Sequence, residues 1–483
     1  MKLTLFVCLF AVLGVCGEPI KLHPENPHYY LFRGKPTVLV TSAEHYGAVV
    51  NKDFNYVAYF DALQAHGLNY TRIYPGALFE PLGKFIRENT LGVKGSSLIV
   101  PWARSNTPGY ALGGNKFDLD KWDPEYFRRL KDFIAKAGER GIVVEICFFN
   151  AQYSDTWPIS PLYAENNVQG EGNCEYEDAQ TLKHADVVRR ESDYVRKITQ
   201  EVNSFDNVIL EICDEPYLTG TPIELAGPWI AHFIDLLKTT LAALPQKHLV
   251  AQQMEGPIGG PCDFTSHPDV NVLVMQYVWD ASFEQMGGMR ALDYEYDKGK
   301  PIDFNETAYF PVWYKGDRVA DSRVEAWEFM VGGGSSFNQL NGEFTVRNPA
   351  GKTPDNARVL LSLKALKSFI DGFDFIRMRP DRNFVVHGIP LGTYARGISE
   401  PGKQYAWYVH HSTGGTGSAY VVTPGKYGYT LELNLPAGAY QADWVEPATG
   451  SILRTDKLAH EGGNVTVTTP EYTVDLALRI KRK

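Results

Sequence analysis

Apolar positions along this chain change their period once, near residue 384. Before that point, short apolar runs of strand length alternate with stretches in which apolar side chains recur every three or four positions. The runs fall at 37–41, 68–74, 142–149, 208–213, 248–252, 272–277, 301–306 and 335–340, and their β-branched content suits buried strands. Between the first two, 55–66 places Tyr56, Phe60 and Leu63 on one helical face, and Gly67 stops it. Trp122-Asp123-Pro124 opens another helix, with Asp as cap and Pro in the first turn, followed by Phe127, Leu130, Phe133, Ile134 and Ala137 at helical spacing. Helices are expected over 184–203, around Trp229, Phe233, Leu236, Leu237 and Leu241, and over 356–369. Eight strands alternating with helices predict an α/β fold, a parallel sheet closed into a (β/α)8 barrel with long loops. An open doubly wound sheet is the rival. It requires a phosphate-binding glycine turn after the first strand, and Gly332-Gly333-Gly334 comes late and precedes a strand.

Residues 19–36 read as a short hairpin turning at Arg33-Gly34-Lys35-Pro36. Beyond 384, Thr430-Leu431-Glu432-Leu433-Asn434-Leu435 and Asn464-Val465-Thr466-Val467-Thr468 alternate with period two, and Gly and Pro turns separate such runs. This predicts an antiparallel β-sandwich over 384–483 behind a barrel spanning 18–380. The first 17 residues carry Lys2 and then an apolar core too short to span a bilayer, the pattern of a cleaved secretion signal, so a secreted or periplasmic protein is expected. A lipid anchor at Cys16 is the rival, and Val15 is bulky for that processing. No other apolar run is long enough for a membrane helix.

Charge narrows the partners. Losing Lys2 from the 47 basic residues leaves 46 against 57 acidic ones, a balance of −11 that disfavours nucleic acid and anionic membranes. Of the four cysteines that remain, Cys147 and Cys213 lie in strand-like runs as buried thiols, and Cys174 and Cys262 sit in loops where they could pair. Their spacing fits no zinc motif, and no metal or cofactor is expected. Oligomeric state is not legible.

Two glutamates carry the chemistry. Glu215 closes the run Val208-Ile209-Leu210-Glu211-Ile212-Cys213-Asp214-Glu215-Pro216, and Glu306 closes Pro301-Ile302-Asp303-Phe304-Asn305-Glu306. Carboxylates at the C-terminal ends of two barrel strands stand where such barrels place their active sites. Two of them can share one glycosidic bond, one as acid and one as nucleophile.

Glu211-Ile212-Cys213-Asp214-Glu215-Pro216 resembles the fourth-strand signature of clan A glycoside hydrolases, close to family 5, and Lys300-Pro301-Ile302-Asp303-Phe304-Asn305-Glu306 resembles the seventh-strand signature. The resemblance implies Glu215 as acid/base, Glu306 as nucleophile and a carbohydrate substrate. The family has Asn before the acid/base, where this chain has Asp214, which puts the substrate in question more than the reaction. Arg72 resembles the clan's second-strand arginine and would keep Glu306 ionised; the bland alternative is an ion pair with Glu145 or Glu211 inside the barrel. Tyr277, at the end of the sixth run, matches a tyrosine that orients the nucleophile in clan members. His45 is a candidate ligand for a sugar hydroxyl, Trp157 and Trp279 for stacking on a pyranose, and Asn338 for a sugar contact; each has a packing alternative. His410-His411 lacks a third ligand and reads as inert. Glycosylation patterns begin at Asn69, Asn305 and Asn464, and the first two fall on barrel strands, where chance explains them. Two further classes compete with the glycosidase: a carbohydrate-binding protein that lost turnover, and a metal-dependent barrel hydrolase. The latter needs a His-x-His after the first strand, which Ser42-Ala43-Glu44-His45 lacks.

Overall fold

The structure is a computed structural model that describes residues 17–86, 88–216, 220–254, 260–276, 279–280, 285–307, 317–414 and 420–483. Eight parallel strands form its centre: β1 (Leu39–Ala43), β2 (Tyr70–Ile73), β3 (Val143–Asn150), β4 (Val208–Asp214), β5 (Leu249–Gln253), β6 (Val272–Gln276), β7 (Ile302–Thr307) and β8 (Ser336–Leu340). From β2 onward each strand pairs with the next in sequence, and β8 pairs back onto β1. The seam between β1 and β2 is closed by one residue. The Asn69 backbone N–H donates to Val40 O at 3.2 Å, its side-chain oxygen accepts from Val40 N at 3.0 Å, and its amide donates to Val38 O at 2.9 Å. The side chain of this expected chance glycosylation site is therefore committed to the barrel.

Helices α1 (Tyr56–Ala65), α2 (Pro124–Glu139), α3 (Ala185–Val202), α4 (Ile223–Ala242), α5 (Gly287–Tyr294), α6 (Arg318–Val331) and α7 (Pro354–Asp371) surround the sheet. Asp123 caps α2 as the sequence predicts, its carboxylate accepting from the N–H groups of Glu125 and Tyr126. Among the described residues no helix joins β5 to β6, and an antiparallel ribbon, Trp102–Pro108 with Asn115–Trp122, is inserted between β2 and α2. No helix among the described residues is long and apolar enough to cross a membrane.

The N-terminal hairpin turns through the left-handed residues Arg33 and Gly34. Its buried Tyr30 and Phe32, with Ile20, pack on Leu39, Tyr70, Val143, Ile209, Leu249 and Val272 at the starts of the strands, sealing that end of the barrel. The opposite end is left for chemistry.

After α7 the chain forms a six-stranded antiparallel sheet and a three-stranded one, with Trp407, Leu433, Trp444 and Leu478 among the side chains packed between them. The six-stranded sheet is clamped to the barrel through α6, in which every residue from Val319 to Val331 is buried. Arg323 forks onto Asp475 at 2.8 and 3.0 Å, and Trp327 stacks on Tyr408. Glu328 accepts from Arg396 at 2.9 Å and bonds His410 at 3.1 Å. Burial alone would raise the Glu328 carboxyl; the His410 bond and the Arg396 guanidinium instead hold it at about 2. His410 is thus a structural clamp between the two layers. Cys174 carries a free thiol, which corrects the expectation that it could pair with Cys262.

Candidate active site

Glu215 follows β4 directly and Glu306 is the fifth residue of β7. Both line one cavity of about 290 Å³ at the C-terminal end of the strands, together with His45, Glu80, Phe85 and Tyr153. The backbone is under strain here. Four non-glycine residues among those described have positive φ, and three of them, Tyr46 (59°), Phe85 (55°) and Glu215 (49°), line this cavity. A bulky side chain in the left-handed region costs about 1–3 kcal/mol and persists only where surrounding contacts enforce it. At Glu215 one such contact is the Gln253 side chain, whose oxygen accepts the Glu215 N–H at 2.7 Å.

Arg72 on β2 organises the floor. Its guanidinium meets Glu211 at 2.7 Å, Asp214 at 2.9 Å and Glu306 at 3.5 Å, and is fully buried. Arg72 is therefore an interior ion pair that also lies beside Glu306, but its pull does not keep the Glu306 carboxyl at an ordinary value. Glu145 has no part in this. Burial first, then the charges of Glu211, Asp303 and Asp214, raise its pKa well above the ordinary carboxylate range, and it makes no ion pair with Arg72. This corrects its expected role as a partner of Arg72.

Asp214 accepts from Arg72, from the Tyr74 hydroxyl, from Asn150 at 2.9 Å and from Gln276 at 2.7 Å. These donors on its two oxygens make it an organising anion. Its charge also bears on Glu306, whose carboxyl is pushed up to about 8 by burial and then by Asp214, against the opposing pull of Arg72, His45 and a bond from the Tyr46 hydroxyl.

His45 places Nε2 3.2 Å from Glu80, while its buried Nδ1 has no hydrogen-bond partner among the described residues. Burial would lower its pKa, but Glu80, Glu306 and Glu44 together raise it. His45 thus stands on the cavity wall with Nε2 turned to Glu80. The Tyr153 hydroxyl donates to Glu215 Oε2 at 3.0 Å.

Two expectations change. Trp157 is buried and donates its indole N–H to Cys174 O at 2.9 Å, so it anchors its loop and offers no stacking face. Asn338 is buried, donating to Asn305 O at 2.8 Å and accepting from Ala43 N at 3.0 Å, which makes it a brace between strands. Tyr277 and the side chain of Trp279 lie outside the described residues. Tyr46, Tyr74, Glu80, Asn150 and Tyr153 were not singled out from the sequence. All but Glu80 stand at or within a few positions of a strand's C-terminal end, and that placement was the available signal.

The comparisons with known proteins bear on this arrangement. No protein-family model and no curated protein matches the chain. Solved structures do. A family 5 glycoside hydrolase from Bacteroides vulgatus ATCC 8482 superposes with a TM-score of 0.62 at 11% identity, over 96% of this chain and 93% of that one. A second protein from the same organism, provisionally assigned as a glycoside hydrolase, gives 0.62 at 14% identity over 96% and 82%. A further glycoside hydrolase gives 0.58 at 13% over 96% and 97%. The chain has a glycoside-hydrolase fold. At such identities the likeness speaks for architecture, and the reaction must be argued from the side chains. Among the described residues no group of three or more His, Cys, Asp or Glu is arranged to hold a metal ion.

Proposed function

We propose that the protein is a retaining glycosidase, acting on β-linked O-glycosides of an oligo- or polysaccharide. The observation that carries this is the placement of Glu215 and Glu306 on one cavity at the ends of β4 and β7, with a buried guanidinium beside Glu306. In the first step a Glu306 oxygen attacks the anomeric carbon as the glycosidic C–O bond breaks, and Glu215 gives its proton to the departing oxygen. In the second, water adds to the anomeric carbon, Glu215 takes a water proton, and the ester to Glu306 breaks. Each displacement inverts the centre, so configuration is retained. Arg72 favours the carboxylate form of Glu306.

The cavity carries Glu80, Asp214, Glu215 and Glu306 against His45 and the Arg72 beneath it, a balance that favours a neutral sugar over a uronate or sulfated one. We read the C-terminal sheets as a brace, because they bury α6. A secretion signal over 1–17 would place the enzyme among extracellular or periplasmic glycans.

A panel of 4-nitrophenyl β-glycosides and soluble polysaccharides, with proton NMR of the first product, tests the reading. Turnover with retained configuration is expected. The acid limb of kcat/KM should lie above the 4.5 of an ordinary glutamate, because only the carboxylate attacks and the Glu306 carboxyl holds its proton up to about 8. Activity is then lost as pH falls through that elevated value. Inverted product would contradict the assignment; an acid limb at 4.5 would show that the Glu306 carboxyl is not raised in the working enzyme.

A further inference from the structure

An aromatic pair stands on one side of the cavity. Phe85 is 40% exposed although it is fully apolar, and its backbone is held in the left-handed region that phenylalanine avoids. Its ring meets the Tyr153 ring edge-on at 5.6 Å, and both rings line the cavity. Lys84 fixes the pair from behind, its ammonium 4.0 Å from the Tyr153 ring centre and 5.0 Å from that of Phe85, while it is ion-paired with Asp155. The Tyr153 hydroxyl in turn holds Glu215.

That chain of contacts gives the pair a direction. Glu215 is the carboxyl that would hand a proton to the departing oxygen, so side chains packed beside it are placed to meet the leaving group. Phe85 reaches the cavity from this side through Tyr153. An apolar ring, exposed and held in a strained conformation, is suited to the apolar face of another ring. We propose that Phe85, set by Tyr153 and Lys84, is the platform on which the leaving group stacks, and that this group is a ring with an apolar face: a second neutral sugar or an aryl aglycone. The inference rests on the proposed function and extends it to the partner across the cleaved bond. It makes Phe85 a determinant of leaving-group specificity, and Tyr153 a positioning residue for Glu215.

The test compares two substrates of one sugar, the 4-nitrophenyl glycoside and the glycosyl fluoride, because fluoride offers no ring to stack. Phe85→Ala should lower kcat/KM on the 4-nitrophenyl glycoside about tenfold and leave the fluoride within about twofold of wild type. Phe85→Tyr should restore the first value, and the exposed position keeps folding out of the comparison. Equal losses on both substrates, or no loss on either, would overturn the platform. A wild-type protein inert on both substrates, and indistinguishable from Glu306→Ala, would overturn the functional reading and this inference with it.

Discussion

Glu306→Ala is expected to reduce turnover by about 10⁴-fold or more, and azide should restore part of it as a glycosyl azide of inverted configuration. The reasoning is geometric. Removing the nucleophile leaves space for a small anion on the face of the sugar opposite the departing oxygen, and Glu215 can still protonate that oxygen. A single displacement by azide inverts the centre once. Glu215→Ala should behave differently. Its loss costs about 10²–10⁴-fold on substrates whose leaving group needs a proton, and far less in the first step for an activated leaving group. Azide then attacks the ester on Glu306 and yields an azide of retained configuration. Rate measurements with NMR of the azide products distinguish the two roles. The same product from both variants would mean that the roles of the two glutamates are not separate.

Arg72→Met should cost stability as well as activity. The guanidinium is wholly buried and meets Glu211, Asp214 and Glu306 at once. Breaking a buried pair from one side costs about 3–5 kcal/mol, because the partner charge is left without compensation. Here three carboxyls lose their shared cation, so protons must be taken up and the Glu306 carboxyl rises further. Denaturant titration should show a loss of that size, and the acid limb of any residual activity should move to still higher pH. Arg72→Lys keeps the charge but offers a point where a fork is needed, and should recover only part of either loss. A fully stable Arg72→Met protein would show that this cluster is not held by the guanidinium.

Much of the barrel was legible because each strand is a short apolar run of β-branched residues and each helix repeats at a different period. The ends were less so. The first strand was expected at 37–41 and begins at Leu39, since Thr37 is taken by the hairpin through its pairing with Tyr30. The closing role of Asn69 depends on two strands meeting after the sheet has curled round, which no local pattern encodes. The Trp102–Pro108 ribbon escaped because its polar composition resembles loop, and α5 because it is only eight residues long and opens on two glycines.

Within the site, Glu215, Glu306 and Arg72 were readable from strand ends and chemistry; the two glutamates line one cavity and Arg72 lies beside Glu306. Trp157 misled because residue type cannot tell an exposed ring from one whose indole anchors a loop. Tyr153 and Phe85 lie in loops, where position relative to Glu215 is set by the fold and not by spacing. Asp214 reads in sequence as a departure from the family's Asn. In three dimensions its donors Arg72, Tyr74, Asn150 and Gln276 account for an anion at that place.

The central claim is that Glu306 becomes covalently bonded to sugar. Incubation with a 2-deoxy-2-fluoroglycosyl fluoride of the preferred sugar, followed by proteolysis and mass spectrometry, tests it at the atom concerned. One fluorosugar ester on the peptide containing Glu306, absent from Glu306→Ala, is the predicted result. Inactivation with the label on any other side chain, or turnover of the natural substrate with inversion and no label at all, would contradict it.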